Sequence, residues 1–545
     1  MASIISKRKG NRDYYYIAES GRVNGKPRIV SQVYLGTVDR IMDMQSGRRI
    51  RPERFSVLEF GSTAAIYTIL DGIGLVNSVN RHAGSRGRLS AGDYVMIAAV
   101  SRAVHPVSHR KLPEWYSHSF MKIIHPSSGN LLSGQNFWNN THEITDKHTE
   151  AMQKEILQSI MNMADMRELF FDTTNFPTFI EQYAYQGRIA RKTYSNVHRN
   201  DLPHVAIWLL VDSQGIPVLH GTYEANKGDV EIFGTFLEYA KNYREFTGSI
   251  ENITLIMDKG NNSEDNIAGM KYHCIGALRP STQKDLLRIP LDDYSKLDDG
   301  TMYYRTAEKV YGKDHAVVIT YNPALASRKE GTFASKVEKC RNYINNYIAD
   351  ANKSKGKRNI GRMRRTIDGY LKEKKMSRYI DCKIDYTDRF SVTITENKDL
   401  VDFMFGKNVL FTDRLDMETS SIIEHYRDRW IIEDGFRMMN FDDNISVTPI
   451  FTWTDQQVCL HIFVCVVALL ALRLLRLKLK NAGMDMGAGR ALEILRNVHA
   501  IGSLYENRKI EWTLGEMDQD AEHLMEVLNL KPFFDKTVGN TKKQA

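Results

Sequence analysis

Asp172 closes the apolar run Leu169-Phe170-Phe171, Asp258 closes Leu255-Ile256-Met257, and Glu433 lies inside the segment Tyr426–Asn440. Carboxylates brought to one point bind hard divalent cations such as Mg²⁺, which takes oxygen ligands and keeps several waters. Two such ions about 3.5–4 Å apart activate an attacking oxygen and stabilise a leaving one in phosphoryl transfer. Two or three acids suffice, provided rigid elements hold them. A single Asp after an apolar run is ordinarily a turn or cap residue. Two within one stretch of strands and helices point to a shared site, because ligands of open α/β sheets bind beyond the carboxyl ends of the strands.

The third acid has a different setting. Tyr426, Arg429, Glu433 and Asn440 follow one another at +3, +4 and +7. At about 100° per residue they form one stripe on a helix. The segment SSIIEHYRDRWIIEDGFRMMN holds no proline and reads as one long helix. An acid on that stripe completes a metal site beside the sheet, and the planar fork of Arg429 suits a phosphate. The plain alternative is a surface Arg–Glu pair at i,i+4, which is worth little.

These residues need a scaffold, and the flanking sequence supplies one. RELFFD, then HVAIWLLVDSQGIPVLHGTY, then VEIFGTFLEYAKNY, then NITLIMDKG read as strand, hairpin, amphipathic helix and strand. That order predicts an α/β domain. We divide the chain into a β-rich region 1–55, with Asn24-Gly25 as a hairpin turn, and a helical region 56–165, with Ser90 as a cap. A core follows in two parts, 166–280 and 416–480, separated by an insertion 281–415, and a helical tail covers 481–545. Ile462–Leu472, eleven apolar residues closed by Arg473, is too short for a spanning helix of about 20 residues and reads as a buried core helix.

The net charge is +8, but it is unevenly spread. Arg328–Arg378 carries 16 Lys/Arg against 5 Asp/Glu, leaving the rest of the chain slightly acidic. Such a run is often a solvated helical face; its concentration predicts contacts to nucleic-acid phosphates by Lys353, Lys355, Lys357, Arg358, Arg362, Arg364 and Arg365. The five cysteines show no CxxC spacing, which argues against a disulfide framework or thiolate zinc site and fits a reducing cytoplasm. The N-terminus has no secretory apolar region. His142-Glu143 with His148 misses the HExxH spacing, there is no P-loop or GxSxG, and the GxG at Gly72 follows a helical stretch.

Taken together, the acids and their contexts resemble the DDE transposases of bacterial and archaeal insertion sequences. The branch concerned is insertion-sequence family four and its relatives, whose third-acid helix reads Tyr-x2-Arg-x3-Glu-x6-Lys. Tyr426, Arg429 and Glu433 match; Asn440 stands where that branch has Lys. DKGNNSEDN matches the second-acid motif through Asp258, Gly260, Ser263 and Asn266, and FDTTNF carries Asp172 with Thr174 in the usual place. The likeness runs over roughly residues 10–480. It implies an RNase H-like catalytic core interrupted by a mainly β insertion, with an N-terminal β-hairpin and helical DNA-binding region. It implies Mg²⁺ or Mn²⁺, two ions, held by Asp172, Asp258 and Glu433 as catalytic acids. It implies phosphate contacts by Tyr426 and Arg429, with Asn440 able to hydrogen-bond but uncharged. Its partners would be transposon-end inverted repeats and target DNA, engaged by a homodimer on the nucleoid. The function expected is metal-dependent cleavage at transposon ends and strand transfer; the alternative is a catalytically inactive relative that only binds DNA.

Overall fold

The computed structural model describes residues 2–10, 12–23, 26–45, 52–84, 87–127, 129–180, 185, 187–193, 199–241, 252–353, 359–440, 445–450, 452–505 and 509–544. A small antiparallel sheet comes first: β1 (Ala2–Lys9), β2 (Arg12–Val23) and β3 (Lys26–Gly36). Val23 pairs with Lys26 across the expected hairpin turn; Asn24 and Gly25 themselves lie outside the described residues. Next comes β4 (Arg54–Glu59), followed by a helical region. Ser90 caps its helix Ala91–Val104 through a reciprocal capping box with Asp93.

The architectural centre is a ten-stranded mixed sheet. Its strands are β5 (Glu168–Pro177), β6 (Arg191–Lys192), β7 (Pro203–Asp212), β8 (Pro217–Tyr223), β9 (Thr254–Met257) and β10 (His273–Leu278). It continues with β11 (Ser295–Lys296), β12 (Met302–Val310), β13 (Lys313–Tyr321) and, further along the chain, β16 (Lys407–Thr412). β5, β9 and β10 are parallel neighbours. β7 flanks β5 antiparallel, and β8 flanks β7. On the other side β16 lies antiparallel to β10, and β13 antiparallel to β16. The fully buried strand β7 and the buried runs of β9 and β10 explain the continuous apolar sequence, since both faces are covered.

One face packs on the helix Asp229–Ala240, whose Phe233 and Phe236 meet Phe171 of β5. The helix Asp455–Asn481 is long and apolar enough to cross a membrane, yet its apolar stretch is wholly buried. It contacts β8 and the helices Ala91–Val104 and Gly61–Gly72, so it is the axis that joins the helical region to the sheet. One continuous apolar core runs through all three parts.

Three expectations need correction. The region 281–415, expected as a mainly β insertion with a basic helical segment, is not one separate unit. Its strands β11–β13 and β16 belong to the central sheet, because their buried face completes it beside β10. What stands apart is a unit of two helices, Pro323–Lys353 and Ile360–Glu373, over the hairpin of β14 (Ile380–Tyr386) and β15 (Phe390–Glu396). It has its own apolar core around Ile344, Ile348, Met363 and Ile367. The tail is not purely helical: β17 (His499–Leu504) and β18 (Ile510–Leu514) form a sheet with β4. Finally, the long helix expected around Glu433 is two helices, Thr419–Arg427 and Trp430–Asn440. Bonds from the Ile431 and Ile432 amides to the carbonyls of Asp428 and Arg429 tighten the chain to an i→i+3 pattern at the junction.

Close packing supports the strand that bears Asp172. Trp208 of β7 stacks on Phe171 and reaches Phe236 and Tyr239, and its indole lies over Gly221 of β8, its register partner. A Cβ at Gly221 would sit 2.4 Å from that ring. Gly221→Ala is therefore expected to destabilise the protein by roughly 1–3 kcal/mol through overpacking. Denaturant unfolding measures it, and an unchanged midpoint would contradict the packing described.

Candidate active site

Register brings the two aspartates together. Phe171 of β5 pairs with Met257 of β9, so the next residue on each strand, Asp172 and Asp258, stands at the same level on adjacent parallel strands. Asp258 follows the end of β9. Asp172 does not end its strand: β5 runs on to Pro177 because it keeps β7 as a partner after β9 has stopped.

The motif after Asp258 is a loop-building device. The Asn261 amide returns to the Asp258 carbonyl, and Ser263 caps the short helix Glu264–Gly269 by accepting from the Asn266 amide. Asn266 donates to the carbonyls of Val230 and Asn261, tying the loop to the neighbouring helix. A Cβ at Gly260 would lie 3.1 Å from an Asp229 carboxylate oxygen, which limits the position to a small residue. Thr174 continues β5 opposite Ile207.

Glu433 arrives on the helix Trp430–Asn440, which buries Ile432, Phe436 and Met439 on its inner side. Asp434 anchors that helix by a 2.8 Å ion pair to the buried Arg473 of the helix Asp455–Asn481, and it also pairs with Arg437. Glu433 itself stays 62% exposed, with its carboxylate turned toward the aspartates.

Arg429 occupies the middle of this arrangement. Its guanidinium lies 3.1 Å from Asp258, 3.7 Å from Asp172 and 3.7 Å from Glu433. The same group donates to the Tyr426 hydroxyl at 3.2 Å, which in turn donates to Asp258 at 3.3 Å. The guanidinium carbon also lies 5.3 Å from the Tyr426 ring centre. Arg429 is largely buried, and its Nε has no hydrogen-bond partner among the described residues. Burial pushes the Asp172 carboxyl up to about 6, against the pull of Arg429 and the Thr173 amide. Burial opposes the charge on Arg429, but Tyr426, Asp258 and Asp172 outweigh it and raise its pKa. Burial likewise pushes the Tyr426 phenol up to about 12.

The sequence stripe is thus only partly realised. Tyr426, Arg429 and Glu433 do converge, across a helix break rather than along one helix. Asn440 ends the second helix, two turns beyond Glu433, and makes no polar contact with the acids. Of the basic residues, Lys355, Lys357 and Arg358 lie outside the described residues. Lys353, Arg362, Arg364 and Arg365 belong to the separate helical unit, and none bonds to the acidic cluster.

Sequence reasoning missed Thr173 and Asp229. The Thr173 amide donates to Asp172 at 2.8 Å, and its hydroxyl donates to Asp229 at 3.0 Å. Asp229 opens its helix after Gly228, so it sits at the positive end of the helix dipole, one hydrogen-bonded step from the first catalytic candidate. The only prior signal was an acid at a helix start, a commonplace position.

The geometry ranks the couplings of Arg429. A double-mutant cycle of Arg429→Gln with Asp258→Asn should give an interaction of about 1 kcal/mol or more, because the pair is close and shielded from water. The cycle with the exposed Glu433→Gln should give distinctly less. Equal couplings, or a larger one to Glu433, would refute the central position of Arg429 beside Asp258.

A family model described as the transposase DDE domain matches residues 164–442, just over half of the chain. The match begins just before β5 and ends just after the Glu433 helix, so it contains all three acids. No curated protein matches the chain. A cryo-EM structure of a piggyBac transposase synaptic complex with hairpin DNA aligns over 79% of this chain and 78% of that one, at 9% identity and a TM-score of 0.38, too distant to carry an argument about the site. By the family match, the chain belongs to the DDE transposases.

Proposed function

We propose that this transposase cuts DNA at transposon ends and joins the freed end to target DNA, using Asp172, Asp258 and Glu433 as metal-binding catalytic acids. The observation that carries this reading is the convergence of three carboxylates, from two adjacent strands and a helix, on one cationic group. The order of the central strands, β8-β7-β5-β9-β10, with three antiparallel and two further parallel members, supports an RNase H-like core. The Tyr-x2-Arg-x3-Glu spacing supports the insertion-sequence branch named above.

The donors fit Mg²⁺ or Mn²⁺: all are hard carboxylate oxygens, and a guanidinium stands in for the cation among them. Among the described residues no three acidic, His or Cys side chains lie close enough to share one ion as they stand. Arg429 accounts for that spread, since its fork is wider than a metal ion. When bound, two divalent ions would supply an activated attacking oxygen and a stabilised leaving oxygen. The chain's own residues do the rest. Asp172 and Asp258 would hold the divalent ions that bind the reacting phosphate at the carboxyl end of β9, and Thr173 orients Asp172 by its amide. Arg429, exchanged out of the carboxylates, presents its fork and spare Nε–H to a phosphate, with Tyr426 beside it. Asn440 contributes a neutral hydrogen bond at most.

Synapsis of two ends calls for a homodimer, and the N-terminal sheet and helical region are the segments assigned to end recognition. The alternative, a relative that binds DNA without cutting it, is favoured by no feature of the acids.

Nicking of a duplex carrying the inverted repeats that flank the gene, with Mg²⁺ or Mn²⁺ added, tests the reading. Glu433→Gln, Asp172→Asn and Asp258→Asn should each reduce cleavage by more than the roughly 10–100-fold that loss of an outer metal partner costs. Cleavage by any of the three at the wild-type rate would remove that acid from the site, and binding without cleavage by the wild type would favour the inactive relative.

A further inference from the structure

Beside Asp258 the surface opens into a cavity of about 810 Å³. Three separate pieces of chain wall it: the loop after Asp258 with Lys259, the segment after β10 with Arg279 and Lys284, and the end of β12 with Lys309. The parallel register places Ile275 beside Ile256, so β10 runs two residues past the end of β9, and Arg279 emerges alongside the loop that starts at Asp258. All four cations are exposed, and none of their side chains pairs with a carboxylate among the described residues. Asp285 and Glu308 also reach the cavity, so positive charge remains in excess. Lys329, from the first turns of the helix Pro323–Lys353, adds to it. Its pKa is lowered, chiefly by burial and then by Lys259 and Arg328, which marks how closely these cations gather.

Like charges held in excess on a concave surface cost free energy unless an anion joins them, and low-dielectric walls focus their field. The catalytic acids bind cations, so they offer this groove no compensation from within. A polyanion running past Asp258 does. The groove differs in this from the later part of the basic sequence run, where Arg364 already faces Asp368 and Asp381 on a unit with a separate core.

We propose that this groove is a phosphate track: Lys259, Arg279, Lys284 and Lys309 hold the sugar–phosphate backbone of the DNA strand as it leaves the phosphate at Asp172 and Asp258. The assignment rests on the DNA-cleaving reading of the acids. It adds a direction to it, from Asp258 toward the β12–β13 hairpin.

The test uses the full-length protein without divalent cations, a labelled duplex of arbitrary sequence and the matching single strand, and binding measured by fluorescence anisotropy across a salt series. The triple variant Arg279→Ala/Lys284→Ala/Lys309→Ala is compared with an equal loss of charge elsewhere, Arg490→Ala/Lys531→Ala/Lys536→Ala. All six side chains are exposed, so both variants should fold. The groove triple should flatten the plot of log K against log salt by about 0.9 per lost contact on duplex or about 0.7 on single strand, and the control should leave it unchanged. Flattening with either DNA form supports the track, and the form affected tells which one it carries. Equal slopes for the two triples overturn it. Because no divalent ion is present, the result does not depend on the acids holding metal. A protein that shows the slope change but no metal binding would sink the cleavage reading and leave the track standing.

Discussion

Three carboxylates gathered from two central strands and a helix repel one another unless positive charge lies among them, and in this protein that charge is Arg429. At the effective dielectric typical of protein sites, a pair of unit charges 4 Å apart interacts by about 4 kcal/mol. That scale is comparable with the net stability of a whole domain. The site is therefore tolerable to the fold only because a cation is built into it. Burial still raises the Asp172 carboxyl to about 6, so even with Arg429 present the cluster is poorly compensated and accepts further positive charge. A group that binds divalent ions needs this: acids held close, a temporary counter-ion, and an unmet demand for charge.

The remaining structure serves to keep that geometry. β5 and β9 are locked in register by buried apolar pairs, which sets the two aspartates side by side. Trp208, over Gly221, braces Phe171 from the neighbouring strand. The Asp434–Arg473 pair pins the Glu433 helix to the buried helix Asp455–Asn481, so the most exposed acid is placed by its neighbour rather than by its own contacts. The loop after Asp258 then does two jobs. It caps the helix Glu264–Gly269 through Ser263 and ties to the neighbouring helix through Asn266, and it starts a cationic surface at Lys259. Acid and base are thus sorted at a single turn, Asp258 on one side and Lys259 on the other.

Much of this was legible in the sequence because it depends on local pattern. Apolar runs ending in Asp172 and Asp258 announce the two buried strands, although β5 runs on past Asp172. What escaped depends on tertiary context. A helix break at Asp428–Arg429 needs no proline or glycine, only a tightened turn, so periodicity runs through it unmarked. Strands β12, β13 and β16 read as part of an insertion because sequence order hides that β16 pairs with β10 and brings β13 and β12 in beside it. The tail strands β17 and β18 are short, and their partner β4 lies some 440 residues earlier in the chain, beyond the reach of any window. Charge was misleading in the same way. The densest basic run lies on a unit with its own core, whereas the cations nearest the acids come from separate segments that no count of neighbouring residues would join.

The central claim is that Arg429 holds the place of a metal ion in the DNA-free protein. Mn²⁺ binding, followed by the loss of the free-ion signal in electron paramagnetic resonance, tests it directly in wild type and Arg429→Gln without DNA. Removing the resident guanidinium should tighten Mn²⁺ binding, by about tenfold for each 1.4 kcal/mol of competition relieved, and Asp258→Asn in the same background should abolish the gain. Mn²⁺ affinity that stays the same or weakens in Arg429→Gln, while Asp258→Asn still lowers it, would show that the arginine does not compete for the cation's place.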